Sequence, residues 1–314
     1  MSQFGGKLNN QMRGLYYSDY VNLRGEKRHL ACTQFEATDA RRAFPCWDEP
    51  AFKATFQLTA TIPLPDGGNF VAVSNTPALE TSEFLRDGCR FKTYKFAETP
   101  KMSTYLAALV VGEFDVVSKY SEKNKIQTSV YTMPGKGEQG KFCLSTASAA
   151  LDFLEETYGI KYPLPKSDLL AIPDFASGAM ENWGCVTYRE AKILTGKGTS
   201  LAMKKGIART VCHELAHQWF GNLTTMEWWN ALFLNEGFAR FMEFIAIDHL
   251  FPKWNIWNEF VQSVFTMALG LDAMKTSHPI EVGKCEERGV EQRTRCVIVT
   301  VSNLAHSHAR HSAP

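Results

Sequence analysis

No apolar run in this chain reaches the roughly 18–20 residues that a membrane-spanning helix requires. The opening residues, Met1-Ser2-Gln3-Phe4-Gly5-Gly6-Lys7, carry no apolar signal-peptide core. A membrane partner is therefore not expected, and neither is secretion. Charge of one sign is lacking as well. Thirty-four Lys and Arg offset 33 Asp and Glu, leaving a net charge of +1, which gives nucleic acid no electrostatic footprint. None of the eight cysteines forms a CxxC pair, so reduced, mostly buried thiols in a cytoplasmic protein are expected. Repeats and long low-complexity segments are absent. Tyrosine is absent after Tyr188.

What is present can build a core. Hydrophobic residues make up 45% of the 314, a length that ordinarily holds about two domains. Residues up to about 116 read as β-rich. Phe52, Ala54, Phe56, Leu58, Ala60 and Ile62 alternate with polar residues, the period of a half-buried strand. Turn residues at 63–68 end it, and residues 70–74, 89–96 and 105–111 continue the β pattern. A boundary is expected at 112–115. Beyond it, 126–131 reads as a strand, 134–140 as a loop and 141–158 as a helix. A strand at 169–172 leads toward Gly178. Placed at a sheet edge, it would let a peptide pair with the Gly178-Ala179 backbone.

The densest chemistry lies in His213-Glu214-Leu215-Ala216-His217. Residues 201–219 carry a helical apolar stripe, and side chains four apart share a helix face. Two imidazoles so placed reach one zinc ion at about 2.0–2.1 Å. Glu214 stands roughly 100° around the helix, beside such an ion and free to take a proton from water bound there. The alternative is a pair of core histidines with a surface glutamate. Cys212 points elsewhere on the helix and is not expected to be a ligand.

Eighteen residues after His217 comes Glu236, near the start of a second expected helix with the stripe Leu234, Phe238, Phe241, Ile245. Glu236 either pairs with Arg240 at i,i+4 or serves as a favourable charge at the helix start, or it returns as a third ligand. Three protein ligands with one open position describe a catalytic zinc. The sequon Asn222-Leu223-Thr224 is read as unused, and His249 as a partner of the helix dipole.

Taken together, His213-Glu214-Leu215-Ala216-His217, Glu236 in Asn-Glu-Gly-Phe, Gly178-Ala179-Met180-Glu181-Asn182-Trp183-Gly184 and the stretch Thr33 to Pro50 resemble the M1 zinc aminopeptidases, a gluzincin family. The last stretch is most similar to the puromycin-sensitive branch. The resemblance runs from about Tyr16 to Val282. It implies an α+β fold: an antiparallel β-rich N-terminal segment (1–116), then an incomplete thermolysin-like α/β zinc-peptidase segment (117–282). Residues 283–314 would be a divergent tail with a short strand at 296–301 and a polar end carrying His306, His308 and His311. The family's first strands, its later helices and its C-terminal domains would be missing.

The resemblance also assigns roles. One Zn2+ per chain would sit on His213, His217 and Glu236, with Glu214 as general base. Glu181, accompanied by Glu36, would hold the substrate ammonium. Gln34 would line the same site, and Gly178, Ala179, Met180 and Asn182 complete the substrate-binding motif. Carboxylates suit that task because a free N-terminus differs from an internal amide by one charge and its donors. Substrates would be peptides with a free N-terminus; oligomeric state is not legible. The family's oxyanion-stabilising tyrosine lies downstream of the third ligand, and no residue here matches it. Such a donor is often worth roughly 10²–10³ in rate. A weakened aminopeptidase and a non-catalytic relative that binds zinc or peptide N-termini both stay open.

Overall fold

The computed structural model describes residues 3–65, 70–277 and 279–280. The expected tail, with its 296–301 strand and three histidines, lies outside the described residues.

Period-two patterning builds the first region. In β1 (Gly14–Val21) Tyr16, Ser18 and Tyr20 turn inward while Asp19 and Val21 face out. β2 (Lys27–Gln34) pairs with it antiparallel. The run 52–62 splits into β3 (Lys53–Ala54) and β4 (Thr59–Leu64). Between them the Phe56 amide donates to Thr99 Oγ1 at 2.9 Å, outside any ladder. β5 (Val71–Ser74), β6 (Ala78–Arg86), β7 (Cys89–Phe96), β8 (Met102–Ser103) and β9 (Leu109–Gly112) follow. They make an antiparallel sheet β1-β2-β9-β5, a three-stranded sheet β4-β7-β6 and the pair β3-β8.

A second sheet opens with β10 (Asp115–Tyr120) and β11 (Gln127–Thr132). Helix α1 (Lys141–Tyr158) ends where Gly159 takes the left-handed conformation at φ 64°. The chain then enters β12 (Lys166–Ile172), β13 (Ala179–Met180) and β14 (Cys185–Arg189). The order is β10-β11-β12-β14-β13, with β12 parallel to both neighbours and the outer pairs antiparallel. The strand expected at the edge is thus central. Leu169, Leu170, Ala171 and Ile172 are all 0% exposed, as a strand covered on both faces requires. The edges belong to β10 and β13, the latter carrying Ala179.

Helices α2 (Leu201–Ala216) and α3 (Phe233–Leu250) pack together beside α1. Ser200 caps α2 by accepting from the Met203 amide at 3.2 Å. The buried face of α3 holds Asn235, Ala239, Met242, Glu243 and Ala246. The stripe expected to be buried is only partly covered, and Leu234 is 44% exposed. Short α4 (Ile256–Glu259), a π-helical stretch (Phe260–Phe265) and α5 (Thr266–Asp272) complete the described residues. No helix among them is long and apolar enough to cross a membrane.

One hydrophobic cluster runs through both regions, from Tyr16, Leu30 and Leu106 to Leu151, Leu170, Val211 and Phe244. Polar ties reinforce it. Asp174 accepts from Ser18 Oγ and the Asp19 amide at 3.0 Å each, and Asn75 Nδ2 donates to Trp183 O at 2.9 Å.

Candidate metal centre and peptide-binding cleft

Helix α2 delivers His213 on its last turn and ends at Ala216, so His217 is its C-cap. Their Nε2 atoms lie 3.0 Å apart. Glu236, in the first turn of α3, brings Oε2 to 3.2 Å from His213 Nε2 and Oε1 to 3.7 Å from His217 Nε2. One ligand atom from each of the three lies within 4.8 Å of the others. The i,i+4 pairing of Glu236 with Arg240 does not form as a hydrogen bond. Arg240 Nη1 donates instead to both oxygens of Glu243, at 2.8 and 3.0 Å.

The outer nitrogens of both rings face acceptors. His217 Nδ1 is 2.5 Å from Asn235 Oδ1 and 3.0 Å from Phe220 O. His213 Nδ1 is 3.0 Å from Glu243 Oε2, close but not aligned as a hydrogen bond. His217 therefore keeps its proton on Nδ1 and turns its Nε2 lone pair toward the shared point. Two ring nitrogens facing each other beside a carboxylate suit a shared cation. Burial works against charge on His213, but Glu236 and Glu243 outweigh it and push the ring up to about 10. Burial likewise opposes ionisation of Glu236, yet His217 and His213 hold it down to about 2. This donor set suits zinc, which takes imidazole and carboxylate ligands.

The remaining acids gather around it. Glu214 is buried, and one ligand atom each of Glu181, Glu214 and His217 also lies within 4.8 Å of the others. Glu36 and Glu236 are half-buried. Burial, then the Glu181, Glu236 and Glu214 charges, push Glu36 well above the usual carboxylate range. Burial does the same to Glu214; His213 opposes it, and Glu181, Glu236 and Glu243 add to it. Gln34, at the end of β2, is buried, and its Oε1 has no hydrogen-bond partner among the described residues. Tyr105 joins from the first region, stacked edge-on against Trp229 at 5.2 Å with its hydroxyl 3.4 Å from Gly221 O.

Glu181 is fixed at three points. Its carbonyl accepts from Gln218 Nε2 at 3.1 Å and Asn222 Nδ2 at 2.8 Å, and its carboxylate from Asn235 Nδ2 at 3.2 Å. Asn222 is 0% exposed, so the sequon asparagine is an internal strut. Gly178 and Ala179 sit on the open edge at β13. Met180 and Asn182 are each 1% exposed. Asn182 Nδ2 donates to Cys185 O and Thr187 Oγ1, bracing the turn behind the cleft. Asn235 is the residue the sequence reading passed over: its oxygen meets His217 and its nitrogen meets Glu181. Gly221 makes room for it, since a Cβ there (φ +128°) would stand 2.3 Å from Asn235 Oδ1. His249 stacks on Phe153 at 4.2 Å, remote from the centre. A cleft of about 390 Å³ lined by Tyr94, Gln127, Lys166 and Asp168 holds none of these residues.

Comparison with known proteins agrees with the geometry. Residues 1–106 match the peptidase M1 N-terminal domain and residues 142–293 the peptidase family M1 domain. The chain belongs to peptidase family M1. Over 282 residues it is 54% identical to aminopeptidase M1-C of Oryza sativa subsp. japonica, covering 89% of this chain and 31% of that protein. It is 50% identical to aminopeptidase M1 of Arabidopsis thaliana over 280 residues, 89% of this chain and 31% of that protein. With the puromycin-sensitive aminopeptidase of Caenorhabditis elegans it shares 48% identity over 283 residues, 89% of this chain and 29% of that protein. The chain thus spans about three-tenths of the length of these relatives.

Proposed function

We propose that the chain carries the zinc centre and N-terminus-recognising cleft of an aminopeptidase that acts on peptides with a free N-terminus. The observation that carries this reading is the convergence of His213, His217 and Glu236 on one point, within a ring of acids far in excess of what three ligands need. Bound zinc would supply Lewis acidity and lower the pKa of a coordinated water toward about 7.

The chain's own residues do the rest. Glu214 takes the proton from the attacking water and passes it to the leaving amine. A divalent charge beside it would work against the burial that raises its carboxyl. Glu181, with Glu36 and Gln34 Oε1, accepts the three N–H donors of the substrate ammonium. That sets the cut after the first residue. The β13 edge at Gly178-Ala179 offers backbone groups to the extended peptide. The six described cysteines are free, and four are buried, which suits a reducing, cytoplasmic setting.

A zinc- or peptide-binding chain without turnover is the second reading. Metal content and hydrolysis of an aminoacyl amide, measured on one sample, separate the two. Turnover that falls at least about 10²-fold in Glu214→Gln with zinc retained supports the peptidase. One equivalent of zinc with no turnover supports the binding protein, and activity untouched by Glu214→Gln sinks the mechanism.

A further inference from the structure

We infer that Glu243 is a positioning residue for the metal centre: it orients His213 and holds Arg240 away from Glu236. The inference rests on the zinc reading above and assigns the site a component outside its ligands and its base. Glu243 is 0% exposed and lies two turns after Glu236 on the same helix. One helix therefore supplies both a ligand and the carboxylate that faces the outer nitrogen of another ligand, at 3.0 Å from His213 Nδ1.

A buried carboxylate needs compensation, and it comes from two arginines. Arg209 Nε, one turn before His213 on α2, donates to Glu243 Oε1 at 3.0 Å, and its guanidinium lies 4.8 Å from the Phe244 ring centre. Arg240 closes the other side through Nη1. Arg240 also sits four residues after Glu236, where a helix surface ordinarily forms an ion pair. Such a pair would place a guanidinium on the carboxylate that a zinc ion must use. Glu243 removes that competitor. Its two tasks are linked, because the charge that faces His213 is the charge that binds Arg240.

The two tasks separate in zinc affinity, read by competition between the full chain and a chelating indicator dye, with Zn2+ as the probe. Glu243→Gln keeps shape and loses charge; it is expected to bind zinc about 10- to 100-fold more weakly. Arg240→Gln alone is expected to stay within about threefold of the parent, as a residue outside the ligand shell. The double variant is expected to recover part of the loss, because no free guanidinium then competes for Glu236. A residue that served only packing would lower the melting temperature of the Gln variant without changing its zinc affinity. Unchanged affinity in a folded Glu243→Gln chain overturns the inference. A double variant no better than the single overturns the sequestering of Arg240. Should Glu243→Gln not fold, Glu243→Asp, which keeps the charge but withdraws it, is read by the same criteria. A parent chain that binds no zinc, or binds it equally well as His213→Ala, overturns the zinc reading itself, which is a separate result.

Discussion

Strand β6 of the sheet β4-β7-β6 and strand β12 of the sheet β10-β11-β12-β14-β13 each carry four apolar residues and end in opposite conditions. Every residue of β6 is exposed, including Leu79, Phe84 and Leu85. Its cross-strand contacts are surface ones: Arg90 with Glu83 at 3.0 Å, Lys95 with Glu80 at 3.1 Å, and the Phe84–Phe91 stack at 5.5 Å. Such pairs add little individually. In the second sheet β12 is buried almost end to end; the chain runs from it into β13, and from its neighbour β14 toward α2. Glu181 lies just past β13, the edge of the covered sheet, the metal centre sits on helices α2 and α3 that follow it, Gln34 ends β2, and none of the candidate residues lies on β6. A site that must hold several acids together needs walls that do not yield.

Four measurements would break or sharpen that contrast. Leu170→Ala, in the covered sheet, is expected to cost roughly 2–5 kcal/mol in denaturant unfolding; a cost near zero would remove the contrast. The next concerns acid. Burial raises Glu243, but Arg240, His213 and Arg209 outweigh it and hold it at about 2, below the ordinary 4.5. Its stabilisation is full above pH 4.5 and disappears as pH falls through 2. The metal-free chain should lose about 3 kcal/mol across that window, a slope absent in Glu243→Gln; matching profiles for parent and variant would count against it. Third, Glu181→Gln should weaken kcat/KM for free-amine substrates by about 1.5–3 kcal/mol, the worth of a hydrogen bond to a charged group. Equal loss on an N-acetylated substrate would show that Glu181 does not read the ammonium. Last, Leu85→Ser on β6 should change stability by no more than about 0.5 kcal/mol and leave zinc content alone.

Much of the centre was legible because helical spacing is a short-range rule. His213 and His217 share a face by counting, and the return of Glu236 follows from a second helix. The partners were less legible. Asn235 reads as an ordinary polar residue until folding sets it between His217 and Glu181. Glu243 looks like a surface acid, and Arg240 like the natural mate of Glu236; which of two carboxylates an arginine takes depends on the helix packed opposite, here Arg209 on α2. The seven-residue step from Glu236 to Glu243 was the available signal. The apolar stripe of α3 misled for the same reason, since its buried face holds polar groups that are satisfied across the helix pair. The strand 52–62 failed locally, where Thr99 claims the Phe56 amide.

The placement of Asn235 reaches into ligand design. One amide touches the imidazole of His217 with its oxygen and the carboxylate of Glu181 with its nitrogen, so the two ends of the cleft are joined by a rigid link a single residue long. If the proposed zinc centre and ammonium site are those ends, a zinc-chelating fragment and a primary amine that each occupy one of them are expected not to contribute independently when tethered into one inhibitor.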